Sequence, residues 1–226
     1  MSMRILFVCS GNTCRSPLAT FLARRIVEEY GAEVAGGFSF TSAGTGAAGG
    51  QPASQHAQTV AAERAAVGRR STAGDGTTPS PDLSSHTSAF LTADAIHQAD
   101  LVLTMSTSHR RAVESLVPAA IEKTFTLKEY AEAARHAIGE GGRDGGPDTG
   151  ITIAGGAAAG GRANGSLVGG GEAVHGPSAS HDIADPFGGD LETYRRVAAE
   201  IETELRAVLS WLVSQREGNA GNRPSS

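Results

Sequence analysis

The sequence predicts an α/β domain built on a parallel sheet, and three observations carry that expectation. Ile5-Leu6-Phe7-Val8-Cys9 and Asp100-Leu101-Val102-Leu103-Thr104-Met105 are near-continuous apolar runs of strand length, as strands buried on both faces require. Leu191, Tyr194, Val197, Ile201, Leu205, Val208 and Trp211 recur at helical spacing, which marks a long amphipathic helix. Between these segments strand-like and helix-like stretches alternate, and alternation favours parallel strands joined by helical crossovers.

The elements follow in order. After Cys9 a polar loop spans Ser10 to Ser16, and Pro17 suits the first turn of a helix whose apolar positions are Leu18, Phe21, Leu22 and Ile26. Val34 to Ser42 is a second strand candidate, ending in Ser42-Ala43-Gly44. Ala53 to Val67 is alanine-rich and suits a helix. A helix near Thr92 to Gln98 precedes the Asp100–Met105 strand, Ser108 to Leu116 reads as helical, and Thr124 to Leu127 is a short strand candidate.

Residues 1–215 read as one domain carrying two insertions, at 68–81 and 135–180, with 216–226 as a disordered tail. Gly68 to Pro81 is rich in Gly, Ser, Thr and Pro, and Gly139 to Gly176 holds 15 glycines in 38 residues. A stretch so poor in large apolar groups does not offset its ordering entropy, so both insertions are expected to be flexible, Ile151-Thr152-Ile153 included.

Composition narrows the function. The chain has 226 residues, 39% of them hydrophobic, and a net charge of -5, which gives no reason to expect nucleic acid. No stretch approaches the roughly 20 apolar residues of a membrane span, and the N-terminus lacks a signal-peptide pattern. Cys9 and Cys14 are the only cysteines, too few for a disulfide framework or a four-cysteine zinc site. The expected setting is cytoplasmic and reducing. His109, His136, His175 and His181 show no metal-ligand spacing, and no cofactor or metal is expected. The oligomeric state is left open.

The chemistry concentrates in Val8-Cys9-Ser10-Gly11-Asn12-Thr13-Cys14-Arg15-Ser16-Pro17. This string joins a buried strand to a helix N-terminus, where parallel sheets bind ligands. Successive backbone N–H groups can form a nest around a tetrahedral anion, the helix terminus adds partial positive charge, and Arg15 can fork two donors onto phosphate oxygens. Reactive cysteines occupy such electropositive positions, so Cys9 reads as a nucleophile aimed at phosphorus. A buried strand-end cysteine alone would read as a small apolar residue; its neighbours change that reading. Cys14 carries two: packing at the helix start, or a disulfide to Cys9 that shields it from irreversible oxidation.

The string Cys-x-Gly-Asn-x-Cys-Arg-Ser-Pro resembles the signature of the low-molecular-weight protein-tyrosine-phosphatase family, and Asp185-Pro186-Phe187-Gly188-Gly189 before the last helix resembles its second landmark. Ser42-Ala43-Gly44, Asp82-Leu83-Ser84-Ser85-His86 and Asp100–Met105 are similar to family stretches as well. The resemblance covers nearly the whole chain outside the insertions. It implies a single domain with a four-stranded parallel sheet flanked by helices on both sides, and an active site at the carboxyl end of the first strand. It implies that Cys9 attacks and forms a phosphocysteine, that Arg15 holds the phosphoryl group, and that Asp185 serves as acid and then base. Ser10, Gly11, Asn12, Thr13, Cys14 and Ser16 complete the phosphate loop, Ser16 bonds Cys9, and Asn12 shapes the loop with Ser42 and His86 as supporting partners. His86 reads as structural. Asp182 and Asp190 are candidates for helix capping.

The family holds tyrosine phosphatases and a bacterial branch acting on phosphoarginine. Thr13, where tyrosine enzymes place a bulky aliphatic residue, resembles the arginine branch, as do Asp185–Gly189 and Phe125-Thr126-Leu127-Lys128-Glu129-Tyr130. Glycines after Phe187 remove one aromatic wall for a phenol ring. The expected function is hydrolysis of phosphoarginine on protein substrates, with phosphotyrosine as the alternative. Thioredoxin-coupled arsenate reductases have a similar loop but need further cysteines, and none follows Cys14. A non-catalytic phosphate-binding module would need no thiol, and a nucleotide-binding loop would need Gly-x-Gly-x-x-Gly spacing.

Overall fold

The computed structural model describes residues 2–68, 83–140 and 181–221. Four strands, β1 (Met3–Cys9), β2 (Phe38–Gly44), β3 (Leu101–Thr104) and β4 (Thr124–Thr126), form one sheet in the order β2-β1-β3-β4, with every pairing parallel. The central strand β1 is buried from Ile5 to Cys9, as its unbroken apolar run requires. Its alternation sorts the core into two layers. Ile5, Phe7 and Cys9 join one buried cluster, and Leu6 and Val8 join the other.

Helices α1 (Arg15–Glu29), α3 (Gln55–Gly68), α6 (Leu127–Glu140) and α7 (Leu191–Gly221) contribute to the first cluster; α4 (Ala93–Gln98) and α5 (Thr107–Leu116), with a 3₁₀ turn over Pro118–Lys123, contribute to the second. A short α2 (Ala32–Gly36) precedes β2. The sheet is thus flanked by helices on both faces. α7 lies along α1, α3 and α6, with Ile201, Leu205, Val208 and Leu209 fully buried, each contributing about 1.5–3 kcal/mol by leaving water.

Several boundaries differ from the sequence reading. Val34–Gly36 is helical, and β2 begins at Phe38. There Phe38 and Phe40 are buried while Ser39 and Thr41 are exposed, the two-residue period of a strand with one face on the core. Leu127 starts α6 instead of ending β4. Helical backbone continues through residues 135–140 and 216–221, stretches read as insertion and tail; the rest of both, and of the first insertion past Gly68, lies outside the described residues. Among the described residues no helix is long and apolar enough to cross a membrane.

The chain leaves β1 for β2 on one side and returns to β3 on the other. Strand order therefore reverses between β1 and β3, and the crevice at their carboxyl ends is where such sheets place ligands. The loop after β1 opens onto this crevice, and so does the segment joining β3 to α5.

Candidate active site

Residues 10–14 turn tightly between β1 and α1, and backbone bonds fix the turn from one side. Thr45 N donates to Cys9 O and Gly46 N to Ser10 O, both at 2.9 Å, and Ser54 N donates to Thr13 O at 2.8 Å. Gly44 allows this approach: a Cβ there would lie 2.5 Å from Ser10 O and 2.8 Å from Asn12 N, closer than any side-chain carbon sits to a backbone atom. So the Gly of Ser42-Ala43-Gly44 has a steric reason beyond ending a strand.

Asn12 takes the left-handed conformation, with φ 54°, which asparagine tolerates better than most residues. It is fully buried and fully engaged. Its Nδ2 donates to Ser16 Oγ at 2.8 Å, its Oδ1 accepts from Ala89 N at 2.8 Å, and its carbonyl accepts from His86 Nε2 at 2.8 Å. His86 Nε2 is therefore the donor, since a carbonyl only accepts. Among the described residues no hydrogen bond joins Ser42 to Asn12, whose contacts go instead to Ser16, Ala89 and His86. Ser42 lies in β2 beside Phe7.

Two groups face the Cys9 sulfur as donors. Asn12 N donates to Sγ at 3.3 Å, and Ser16 Oγ lies 3.0 Å away. Because Ser16 Oγ accepts from Asn12, its own proton is free to point at sulfur; the Ala43 carbonyl competes from 3.5 Å. At the start of α1, Cys14 occupies the N-cap without a side-chain cap. The first N–H groups of that helix are orphan donors that suit an anion.

Arg15 is 5% exposed. Its Nη1 donates to Ile183 O at 3.1 Å, and its Nη2 donates to Ser10 Oγ at 3.3 Å and to Asp185 Oδ2 at 2.5 Å. Its buried Nε makes no hydrogen bond among the described residues. A buried guanidinium with an orphaned donor beside uncapped helix N–H groups is a cradle for an oxyanion. Asp185 comes from the far end of the chain, and its Oδ1 accepts from Phe187 N at 3.2 Å. Gly189 N closes a turn onto Pro186 O at 2.9 Å, with Gly188 at φ 79°, the type II geometry that requires glycine. That turn leaves Phe187 80% exposed beside Asp185.

The structure therefore brings Cys9, Ser10, Asn12, Arg15, Ser16, His86, Asp185 and Phe187 into one region. Gly11 and Thr13 are half-buried on the same loop, with Thr13 Oγ1 3.6 Å from Cys14 Sγ. Cys14 Sγ contacts Tyr194 Oη at 3.2 Å and donates to Ser54 Oγ at 3.5 Å; burial, followed by the bond to Cys14, pushes the Tyr194 hydroxyl up to about 12. Asp190 accepts from Thr193 N at 2.8 Å and so caps α7, whereas Asp182 accepts from Thr107 N at 2.7 Å at the start of α5.

One polar group at the site has no motif in the sequence. His109 Nε2 lies 2.9 Å from Ser10 Oγ and its Nδ1 2.7 Å from Ser106 Oγ. Burial, then the charge of Arg15, brings its pKa down to about 4. Its only trace was position: a histidine in the first turn of the helix after β3, across the crevice from the β1 loop.

The sequence model of the low molecular weight phosphotyrosine protein phosphatase family matches residues 4–74. A protein-arginine-phosphatase of Geobacillus stearothermophilus is 32% identical over 203 residues, covering 90% of this chain and 91% of the relative. A probable low molecular weight protein-tyrosine-phosphatase, EpsP, of Ralstonia solanacearum is 33% identical over 132 residues, 58% of this chain and 75% of the relative. Among solved structures, YwlE arginine phosphatase, as a cysteine-to-serine mutant with a phosphorylated active-site serine, superposes with a TM-score of 0.62 at 28% identity, covering 95% of this chain and 99% of that one.

Proposed function

The chain belongs to the low-molecular-weight protein-tyrosine-phosphatase family, and from that premise we propose that it is a cytoplasmic protein-arginine phosphatase whose nucleophile is Cys9. The observation that carries the catalytic reading is the convergence on one loop of a thiol faced by two donors, a buried arginine with a free donor, and a carboxylate from the other end of the chain.

In this reading the phosphoryl group settles among the loop N–H groups and Arg15. The Cys9 sulfur attacks phosphorus, the P–N bond of phosphoarginine breaks, and Asp185 gives its proton to the departing guanidine nitrogen. Water then attacks the phosphocysteine, Asp185 takes the water's proton, the S–P bond breaks, and phosphate leaves with Cys9 restored as thiolate. Ser16 eases that departure by donating to sulfur. Donors already fixed in place stabilise the charge that develops on the transferring oxygens.

Three features favour phosphoarginine: Thr13 at the loop position between Asn12 and Cys14, the glycines that follow Phe187, and the similarity to a protein-arginine-phosphatase over nine-tenths of both chains. One oxygen of the Asp185 carboxyl can accept from a terminal N–H of the substrate guanidinium while the other presents its proton to the leaving nitrogen. One observation favours phosphotyrosine instead: Phe187 presents an exposed aromatic face next to Asp185, against which a phenol ring can stack. Hydrolysis rates on matched phosphoarginine and phosphotyrosine peptides, with Cys9→Ser as control, decide between them. The expected result is faster release of phosphate from phosphoarginine and none from the control.

A further inference from the structure

A chain of polar contacts crosses the crevice between β1 and β3. It runs from Ser106 Oγ to His109 Nδ1 at 2.7 Å, from His109 Nε2 to Ser10 Oγ at 2.9 Å, and from Ser10 Oγ to Arg15 Nη2 at 3.3 Å. A guanidinium only donates, so Ser10 Oγ must accept from Arg15. His109 takes another of the hydroxyl's bonding directions, and either neutral tautomer of the ring leaves an oxygen lone pair for Arg15. The histidine is itself fixed: it is 5% exposed, and Ser106 caps α5 by accepting from His109 N at 3.3 Å. Because the ring is neutral, it adds no like charge beside the guanidinium.

We propose that His109 is a positioning residue for the phosphate loop. Through Ser10 it sets the plane of the Arg15 guanidinium, so that the orphaned Nε and the terminal donors face the phosphoryl group. The inference rests on the phosphatase reading of the Cys9 loop, and not on the choice between phosphoarginine and phosphotyrosine. A purely structural histidine would stabilise α5 and leave Ser10 to act alone.

The test uses the full chain, p-nitrophenyl phosphate as substrate and inorganic phosphate as competitive inhibitor. His109→Phe keeps the volume and removes the polar atoms; His109→Gln keeps a polar group facing Ser10. His109→Phe and Ser10→Ala are each expected to lower kcat about 5- to 10-fold, the loss of one hydrogen bond, with a smaller change in KM. The double variant is expected to be no slower than Ser10→Ala, and His109→Gln to recover most of the loss. Wild-type kcat in His109→Phe, or losses that multiply in the double variant, would overturn the proposal. If His109→Phe gives no cooperative thermal transition, His109→Asn, polar but shorter on the side facing Ser10, takes its place: a kcat loss that does not add to that of Ser10→Ala supports the proposal, and wild-type kcat overturns it. Turnover retained by Cys9→Ser would instead defeat the underlying phosphatase reading, whereas an inactive Cys9→Ser with a flat His109 series defeats this inference alone.

Discussion

Arg15 and Asp185, 170 positions apart in the chain, meet with Nη2 2.5 Å from Oδ2, the arginine side chain 6% exposed and the aspartate 46%. The carboxylate thus stands where a phosphoryl oxygen would also find the guanidinium, and the two compete for one donor.

That competition has a kinetic signature. Asp185→Asn is expected to lower kcat by about 10²- to 10⁴-fold, the range of a lost general acid–base. Its affinity for inorganic phosphate is expected to stay the same or improve, because a negative charge next to the anion is removed. Steady-state kinetics with phosphate inhibition reads both quantities; a variant that loses turnover and phosphate binding together would speak against the role.

Gly44→Ala tests how closely β2 must approach the loop. The added carbon meets Ser10 O and Asn12 N, both backbone atoms, so the loop itself must shift. The expected cost is about 1–3 kcal/mol of stability, as for overpacking elsewhere, with a larger fractional loss in kcat/KM than at a buried alanine remote from the site. Thermal unfolding and hydrolysis assays on the same preparation separate the two effects.

His109 predicts a dependence of stability on pH. Its folded pKa is about 4 against an ordinary 6.5, so between those values the unfolded chain binds the proton that the folded chain refuses. Stability therefore falls as pH drops from 6.5 towards 4, by up to on the order of 3 kcal/mol for this group. Carboxylates titrate in part of the same range, so the comparison is with His109→Gln: denaturant midpoints of the wild type are expected to fall more steeply across pH 6.5 to 4 than those of the variant.

Thr13→Ile addresses selectivity. In the proposed reading the hydroxyl and small volume of Thr13 favour phosphoarginine, so the substitution is expected to raise the phosphotyrosine to phosphoarginine ratio of kcat/KM. An unchanged ratio in paired assays would remove Thr13 from the account.

The readiest parts to read in the sequence were those whose signal is local. The unbroken Ile5–Cys9 run marked a central strand, Pro17 and the Leu18, Phe21, Leu22, Ile26 spacing marked α1, and the loop between them carried its own chemistry. α6 went unread although Thr126 and Glu129 form a reciprocal cap, with Glu129 N donating to Thr126 Oγ1 and Thr126 N to Glu129 Oε2, both at 3.2 Å. That Thr-x-x-Glu spacing is a helix-start signature, and the glycine-rich stretch that begins at Gly139 leaves the helix without a matching stop signal. Val34 misled because two apolar residues next to a strand extend its pattern, while Gly36 and Gly37 separate them from it. His109 was not legible at all: it meets Ser10 across 99 positions, and nothing short of the strand order shows that the segments after β1 and β3 face one crevice. Ser42 was assigned to Asn12 through resemblance, yet the partners that satisfy Asn12 include a backbone N–H, that of Ala89, which carries no sequence identity to read.

The most direct test of the central claim is to quench the enzyme during turnover of a phosphoarginine peptide and map the phosphoryl group by mass spectrometry. The account predicts one phosphoryl group on Cys9, accumulating further in Asp185→Asn wherever the second step becomes limiting. Phosphoryl transfer to another residue, or undiminished turnover with Cys9 replaced by serine, would contradict it.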